Sequence, residues 1–456
     1  MDFYVEDYLP LFMFAALGFL LFSGYPVAFV LGGVGLAFGA LGMAFDVFNF
    51  IQFFNIVPRI WGGIAENLVL TAIPMFIFMG TMLEKSGVAT DLLHCLQVLL
   101  RRVPGGLALA VIIMGTIMAA TTGIIGASVV MMTLLALPAM LERGYHVPLA
   151  TGAIGASGTL GILIPPSIML VIMADLLSRS VGNLFVAAFI PGLILAVLYM
   201  VFVAVNCSLR PKLAPPLPAN IGPQSQFELL VMVVRSFVPP VFLIFMVLGS
   251  ILFGWATPTE AAGVGGAGAI LLAFLNRRLT WAVMQDVVER AALTGGMLFG
   301  IFLGATCFSY VFRALGGDFL VIGLVESFGL GSWGLLILLM AIVFFLGFFF
   351  DWIEITLIVL PVFSPIIEAL DFGDHVAKSE LVYWFAILLA VNLQTSFLTP
   401  PFGFALFYMK GVAPPEVRIQ QIYQGIIPFV LLQLTGLGLV MAFPDIALWL
   451  PRVLLN

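Results

Sequence analysis

Residues 155–167 read GASGTLGILIPPS, and residues 392–403 read NLQTSFLTPPFG. In both stretches an apolar run is interrupted by small or polar residues and then by two consecutive prolines. Proline has no backbone N–H and breaks or kinks a helix when it lies in the interior. Each stretch therefore predicts a helix that is interrupted in its middle.

The composition indicates that these interrupted helices lie in a membrane. Hydrophobic residues make up 62% of the 456 residues and charged residues only 9%, whereas an average soluble domain is about 25% charged. This composition excludes a soluble enzyme, a secreted disulfide scaffold and a disordered chain. The net charge of −6 gives no reason to expect nucleic acid as a partner. The three cysteines and three histidines are dispersed, so we expect no transition-metal site. We predict an all-α polytopic membrane protein that is not an enzyme.

Stretches without Asp, Glu, Lys or Arg mark the candidate spans, because a membrane-crossing helix needs about 20 apolar residues. The stretch 8–45 is long enough for two spans, and Gly24-Tyr25-Pro26 predicts the turn between them. The other uncharged stretches are 67–83, 103–141, 147–174, 180–209, 236–259, 261–276, 291–312, 327–350, 381–409 and 419–444.

The stretch 103–141 favours a re-entrant hairpin. Its middle reads TTGIIGAS (residues 121–128), and basic residues flank both ends at Arg101, Arg102 and Arg143. Because basic residues favour the cytoplasmic side, both ends would lie inside. Two arms of about 15–18 residues would also be too short to cross comfortably. Two short spans are the alternative.

The distribution of basic residues sets the orientation. With the acidic N-terminus outside, twelve Lys and Arg residues fall inside and five fall outside. This layout has ten full crossings, two hairpins and both termini outside. The five outer basic residues are Arg59, Arg179, Arg313, Lys378 and Arg452.

The two halves of the chain resemble each other. TLLALP at 133–138 and TLIVLP at 356–361 are each followed by one of the interrupted segments. The first hairpin, 103–141, enters from inside. The second, 327–367, has Asp351 near its tip and enters from outside. Inverted repeats with discontinuous helices are typical of secondary transporters that bind their substrates at the bilayer midplane.

These features predict six regions. They are N-terminal scaffold helices with a surface arm (1–66), a first repeat (67–208) with hairpin 103–141 and broken helix 147–174, a linker (209–227), central scaffold helices (228–290), a second repeat (291–444) with hairpin 327–367 and broken helix 381–409, and a C-terminal tail (445–456).

The chemistry at the interruptions predicts an ion site. A broken helix exposes N–H groups that suit a carboxylate, and carbonyls and hydroxyls that suit Na⁺. The candidate sodium ligands are Gly126, Ser128, Ser157, Gly158, Thr159, Asp351, Asn392, Gln394 and Thr399. The candidate substrate-binding residues are Pro166, Ser167, Ser396 and Pro401.

Each of these candidates has a plainer alternative. The Ser and Thr hydroxyls could simply bond carbonyls of the preceding turn or allow close helix packing. Asp351 could be a sodium ligand, a proton carrier, a partner for an arginine of the substrate pocket, or an acid at a hairpin tip that reaches water. A carboxylate inside the membrane is costly and favours a functional role.

Two further patterns predict structural roles. Asp175 and Arg179 are four residues apart and could form a helical ion pair. Gly263, Gly265 and Gly268 spell G-x-G-x-x-G, but no strand precedes them. They indicate close helix packing rather than a dinucleotide site.

The stretches 142–167 (ERGYHVPLATGAIGASGTLGILIPPS) and 392–403 (NLQTSFLTPPFG) resemble the large membrane subunit of a tripartite ATP-independent periplasmic (TRAP) transporter. GIIGAS at 123–128 and GYPVAF at 24–29 also fit. One departure is the first hairpin tip, which reads Gly126-Ala127-Ser128 where family members often carry more serine.

The resemblance implies a multi-pass protein of the bacterial or archaeal cytoplasmic (inner) membrane. It implies uptake of small organic acids driven by a sodium gradient, through an elevator motion of a domain that bears both hairpins. It also implies two protein partners, a small four-helix membrane subunit and a periplasmic substrate-binding protein.

Two other functions remain open from the sequence. One is a self-sufficient sodium- or proton-coupled elevator transporter of the divalent-anion type, which needs no binding protein. The other is a membrane scaffold or receptor that does not transport.

Overall fold

The computed structural model describes residues 8–455, apart from residues 123–124, 217–221, 224, 328 and 401–402. Within this part of the chain, all regular secondary structure is helical. Nine of the described helices are long and apolar enough, judged by length and composition, to cross a membrane. The prediction of an all-α polytopic membrane protein is therefore confirmed.

The N-terminal region forms six helices, α1 (Leu9–Leu21), α2 (Val27–Ala44), α3 (Phe50–Phe54), α4 (Ile56–Ile60), α5 (Ala72–Lys85) and α6 (Val88–Leu99). The predicted turn between the first two is confirmed. It contains Gly24 at φ +82°, a conformation that glycine adopts without a steric cost. Pro26 precedes the first residue of α2, where its missing N–H removes no helical hydrogen bond.

The next five helices are α7 (Gly106–Thr122), α8 (Ile125–Glu142), α9 (Val147–Thr159), α10 (Ile168–Leu176) and α11 (Val181–Leu209). α7 and α8 occupy the predicted hairpin segment and pack against each other and against α9. The chain is helical on both sides of Pro165-Pro166 and non-helical at these prolines, as predicted.

The central helices are α12 (Gln226–Leu252), α13 (Pro258–Leu275) and α14 (Trp281–Ala314). A Cβ atom at Gly265 would overlap Met79 of α5, and one at Gly268 would overlap Leu243 of α12. The packing role predicted for these two glycines is confirmed. Gly263 has no such neighbour, so the same prediction is wrong there.

The last seven helices are α15 (Gly317–Ser327), α16 (Ser332–Leu346), α17 (Trp352–Ala369), α18 (Leu381–Leu398), α19 (Phe404–Val412), α20 (Ile419–Ala442) and α21 (Asp445–Leu454). α18 is the most deeply buried of the candidate spans. It packs against α16, α17, α20 and α9, so the helix that leads into the second interruption lies in the protein core.

α14 packs against α2 and α5, and α5 in turn packs against α13. We call α2, α5, α13 and α14 the α14 group. Contacts between this group and the second hairpin segment run mainly between α14 and α17. The crevice between α14 and α17 therefore separates the α14 group from α17.

The predicted ion pair between Asp175 and Arg179 is wrong. Oδ1 of Asp175 accepts a hydrogen bond from Nδ2 of Asn67 at 2.6 Å. Arg179 Nη2 instead lies 3.1 Å from Oε1 of Glu368. The reason is local, because α10 ends at Leu176 and Ser178 adopts φ +51°. The two side chains are therefore not on one helical face.

Candidate functional site

The first interruption begins at the end of α9. A short 3-10 turn covers Leu160–Ile162, and a bent, non-helical segment with a cis Pro165-Pro166 bond leads to α10. The predicted site residues Ser157, Gly158, Thr159 and Ser167 are all buried here. Since the buried segment leaves the helical path, its polar groups need partners within the protein.

The hydroxyls at the first interruption bond their own backbone. Ser157 donates to the carbonyl of Ile154 at 3.0 Å, and Thr159 donates to that of Ala156 at 3.0 Å. Ser167 donates to the carbonyl of Ile162. A hydroxyl that donates in this way still has lone pairs for a second interaction. The hydrogen bonds are therefore compatible with both the structural alternative and the ligand role.

The second interruption begins where α18 ends. Thr399 leaves the helix in an extended conformation, and its hydroxyl donates to the carbonyl of Thr395 at 2.7 Å. Ser396 donates to the carbonyl of Asn392 at 3.3 Å. Pro401, a predicted substrate-binding residue, lies outside the described residues. The chain becomes helical again at Phe404.

The two interruptions meet through one hydrogen bond. Nε2 of Gln394 in α18 donates to the carbonyl of Thr159 at 3.1 Å. Thr159 is the last residue of α9, so its carbonyl is one of the acceptors that a helix end leaves without an intrahelical donor. The structure thus brings two of the predicted sodium ligands, 235 positions apart, into direct contact.

The N-terminal part of α8 covers the first interruption. A Cβ atom at Gly158 would lie 2.5 Å from Cγ2 of Val129, so α8 and α9 approach closely at this point. Gly126 faces the ring of Tyr408 from α19. Ser128, predicted as a ligand, is buried in the same turn of α8. The first turns of α8 and the end of α9 are therefore in contact.

α16 packs against the last turns of α18, just before the second interruption. Nδ2 of Asn392 donates to the carbonyl of Met340 in α16 at 2.7 Å. A Cβ atom at Gly347 would overlap the side chain of Ser396. Through these contacts α16 packs directly against the turn of α18 that contains Asn392 and Ser396.

Asp351 has a structural role that the sequence analysis missed. Its Oδ1 accepts a hydrogen bond from the N–H of Trp352 at 2.7 Å, and its own N–H donates to Oε2 of Glu354 at 3.1 Å. Together these residues form a capping box at the start of α17. The D-x-x-E spacing was the signal for it.

A cavity of about 120 Å³ lies where these elements converge. We call it the central cavity. Two of the predicted residues line it, Gly126 and Asp351, one from each hairpin segment. The other predicted residues that the structure describes do not line it. Thr294 of α14 and Tyr408 of α19 also line it, and no sequence motif pointed to either.

Four helices begin at this cavity. The first residues of α8, α10, α17 and α19, which are Ile125, Ile168, Trp352 and Phe404, all line it. The N-terminus of a helix carries roughly half a positive charge and presents free N–H groups. The N-terminus of α17 is capped by the carboxylate of Asp351, so those of α8, α10 and α19 are the ones that favour an additional anionic group such as a carboxylate.

Three buried acceptor atoms in α17 and α18 have no hydrogen-bond partner among the described residues. They are Oδ1 of Asn392, Oε1 of Gln394 and Oγ1 of Thr356. An unpaired buried acceptor costs about 1–3 kcal/mol. Oxygen atoms of amides and carbonyls are ligands that hard cations accept. Thr356 was missed as a candidate, although it opens the repeated TLIVLP motif.

Sequence comparison assigns the family. The profile of the tripartite ATP-independent periplasmic transporter, DctM component, matches residues 13–446. The chain belongs to this family. The resemblance to TRAP large subunits is therefore confirmed, and the protein is a DctM-type subunit. Its relatives are transporter permeases, in line with the prediction that the chain is not an enzyme.

Two relatives match over most of their length. The C4-dicarboxylate TRAP transporter large permease protein DctM of Pseudomonas aeruginosa is 29% identical over 389 residues, which are 85% of this chain and 87% of that protein. The sialic acid TRAP transporter large permease protein SiaM of Vibrio cholerae is 28% identical over 438 residues, covering 96% and 97% of the two chains.

A solved structure supports the fold. The YdaH transporter of Alcanivorax borkumensis superposes with a TM-score of 0.63, and the match covers 89% of this chain and 90% of YdaH. The sequence identity is 13%, so the similarity concerns the fold alone.

Proposed function

We propose that this DctM-type subunit is the sodium-coupled permease of a tripartite transporter. It carries a small organic acid across the cytoplasmic membrane after a periplasmic binding protein has delivered it. The observation that carries the proposal is the convergence of four helix N-termini on the central cavity. Such a site favours a carboxylate by backbone N–H groups and helix dipoles, without requiring a cationic side chain.

The substrate carboxylate binds at the N-termini of the two half-helices. Pro166 and Ser167 precede α10, Ser396 lies in the last turn of α18, and Pro401 comes shortly before α19 in the sequence. The central cavity is small, so it accommodates the anionic group and a small part of the substrate in this conformation. The rest of an organic acid would need the hairpin segments to separate.

Sodium ions bind to polar groups at the two interruptions. On the first side the ligands are Gly126, Ser128, Ser157, Gly158 and Thr159. On the second side they are Asp351, Asn392, Gln394 and Thr399. The unpaired amide oxygens of Asn392 and Gln394 support the second site most directly, since a bound cation would offset the cost of burying them.

Coupling follows from the shared contacts. Gln394 bonds the carbonyl of Thr159 with its nitrogen and keeps its oxygen unpaired. An ion bound at that oxygen would fix both interruptions, and with them the two half-helix N-termini that hold the carboxylate. Ion and substrate binding are then linked through one rigid arrangement. Alternating access in such repeat proteins is rigid-body movement of one bundle against the other, here an elevator motion past the α14 group.

The partners follow from the tripartite family. A small four-helix membrane subunit and membrane lipid would cover the apolar side chains that α2, α12 and α14 expose, such as Phe29, Phe245 and Leu293. A periplasmic binding protein would deliver the organic acid to the outer side.

The test is uptake by proteoliposomes that contain this chain, its small subunit and its binding protein, with radiolabelled carboxylates as substrates. We expect uptake only with an inward sodium gradient and only with the binding protein. Uptake that persists in potassium would contradict sodium coupling. Uptake without the binding protein would instead favour the self-sufficient transporter, and no uptake of any carboxylate would favour the scaffold.

A further inference from the structure

A second and larger cavity, of about 310 Å³, lies along the crevice between α14 and α17. We call it the outer cavity, because its two arginines, Arg59 and Arg313, are among the basic residues that the charge distribution predicts on the outer side. The α14 side contributes Thr306, Ser309 and Tyr310, and α17 contributes Ser364. None of the predicted sodium or substrate residues lines it.

The outer cavity continues the central cavity along the same two helices. On α14, Thr294 and Leu298 line the central cavity, and Phe302, Thr306 and Ser309 line the outer one. These positions follow a helical repeat of three to four residues, so they share one face. On α17, Asp351 lines the inner end and Pro361 the outer end. Ten residues of helix separate them by about 15 Å.

Arg59 has its charge available for a ligand. Its guanidinium lies over the ring of Tyr310, 4.7 Å from the centroid. Among the described residues, no carboxylate lies within 4.0 Å of it. The stacking orients the planar group and leaves its N–H edge for an anion.

Arg313 is held in place by a backbone carbonyl of α17 that has no helical donor. Residue 365 is proline and has no N–H, so the carbonyl of Pro361 lacks its usual helical donor. Nη2 of Arg313 donates to that carbonyl. The carboxylate nearest to its Nε is Asp318, at 3.8 Å. A guanidinium has five N–H groups, so the remaining ones can bind an anion.

Hydroxyl groups complete the lining. Thr306, Ser309 and Ser364 are half-buried. In the part of the chain that the structure describes, no hydrogen bond of their side chains is found. Two guanidinium groups with several hydroxyls form a donor set that matches a carboxylate in charge and geometry.

We propose that the outer cavity is an anion-binding vestibule. Arg59 and Arg313 hold the carboxylate of an incoming organic acid there, before it moves along the α14–α17 crevice to the central cavity. The identity of the ligand as transported substrate rests on the proposed function, whereas anion binding by the cavity does not.

The test measures how fast charged reagents label a cysteine in the outer cavity, and it does not require transport. A cysteine is introduced by Ser309→Cys in the full-length chain carrying Cys95→Ala, Cys207→Ala and Cys307→Ala. It is labelled with an anionic and with a cationic methanethiosulfonate reagent. We expect the anionic reagent to react faster, with the rate ratio falling about tenfold when Arg59→Gln and Arg313→Gln are combined, because local charge concentrates counter-ions. Lys378→Gln, an exposed charge elsewhere on the predicted outer side, should leave the ratio unchanged.

Protection of the cysteine by a bound anion distinguishes a binding site from a general electrostatic effect of the two arginines. Succinate should slow labelling of the protein with both arginines more than sodium chloride of equal ionic strength does. It should have no such effect in the double variant. Arg59→Gln alone gives a partial loss and covers the case that Arg313→Gln does not fold.

An unchanged rate ratio in the double variant, or no protection by succinate, would overturn the proposal. A cysteine at 309 that neither reagent reaches would overturn it as well. If labelling behaves as expected while uptake proves independent of sodium, the vestibule stands and the proposed coupling fails.

Discussion

Gln394 links the two halves of the site at the scale of a single residue. Its side-chain nitrogen bonds the carbonyl of Thr159, and its oxygen is buried without a described partner. Removing the side chain would therefore release one interruption from the other and delete a predicted ion ligand. Few other positions in the described chain combine both properties.

We expect Gln394→Leu to abolish sodium-dependent uptake while the protein remains folded, because leucine fills similar volume and removes the unpaired oxygen. The measurement is uptake against external sodium concentration, with the amount of purified protein as reference. Gln433→Leu is the matched control, since Gln433 is equally buried but lies in α20. Normal sodium dependence in Gln394→Leu would remove this residue from the ion site.

Two substitutions of Asp351 can separate the effect of its helix cap from the effect of its charge. Asparagine caps a helix about as well as aspartate, whereas alanine loses about 1 kcal/mol. We expect Asp351→Asn to keep the thermal stability and to lose uptake, and Asp351→Ala to lose both. The measurements are melting curves and transport assays. Full uptake by the asparagine variant would show that the side chain of Asp351 acts only as the cap of α17.

The half-helices α10 and α19 are the elements that define the site. Each has nine residues, and each begins at the central cavity after a proline pair. The packing of α18, which leads into α19, against the second hairpin segment depends on residues without side chains. Gly347 is the clearest case, since the side chain of Ser396 occupies the place where its Cβ would lie.

We expect Gly347→Ala to lower the melting temperature and the uptake rate, because overpacking costs about 1–3 kcal/mol. Ser396→Gly in the same chain should restore part of the stability by making room. Gly323→Ala is the control, since a Cβ there has open space. If Gly347→Ala melts like the control, the close approach of α16 and α18 is not present in the membrane.

The sequence predicted the elements of this site better than the contacts between them. Proline pairs specify where helices break, because the missing N–H acts locally, and both breaks lie where they were predicted. The bond from Asn392 to Met340 and the unpaired hydroxyl of Thr356 depend on which helices pack together, which no local pattern encodes. The Asp175–Arg179 pair failed because the positive φ at Ser178 ended the helix one turn early.

At the scale of the whole molecule, the α14–α17 crevice runs between the α14 group and the second hairpin segment. α14 and α17 form its two walls, whereas on the side of the first repeat α5 packs directly against α7 and α10. The central cavity and the outer cavity both lie in this crevice. An elevator motion would slide one wall past the other, so both cavities would change shape during transport.

A cross-link across the crevice should therefore stop transport. We expect a bifunctional thiol reagent to block uptake in a Thr306→Cys, Leu357→Cys variant, in which each cysteine lies on one wall of the outer cavity. Leu243→Cys with Gly268→Cys is the control, because α12 and α13 pack directly on each other. Undiminished uptake after complete cross-linking across the crevice would contradict a sliding motion there.

The most direct measurement of the central claim is the melting temperature of the purified chain with its small subunit in sodium, lithium, potassium and choline salts. A ligand that binds only the folded state stabilises it by RT ln(1 + [L]/Kd), about 2.7 kcal/mol at one hundred times Kd. We predict a sodium-specific rise that Gln394→Leu removes and Gln433→Leu keeps. Equal melting temperatures in all four salts would contradict a sodium site at the interruptions.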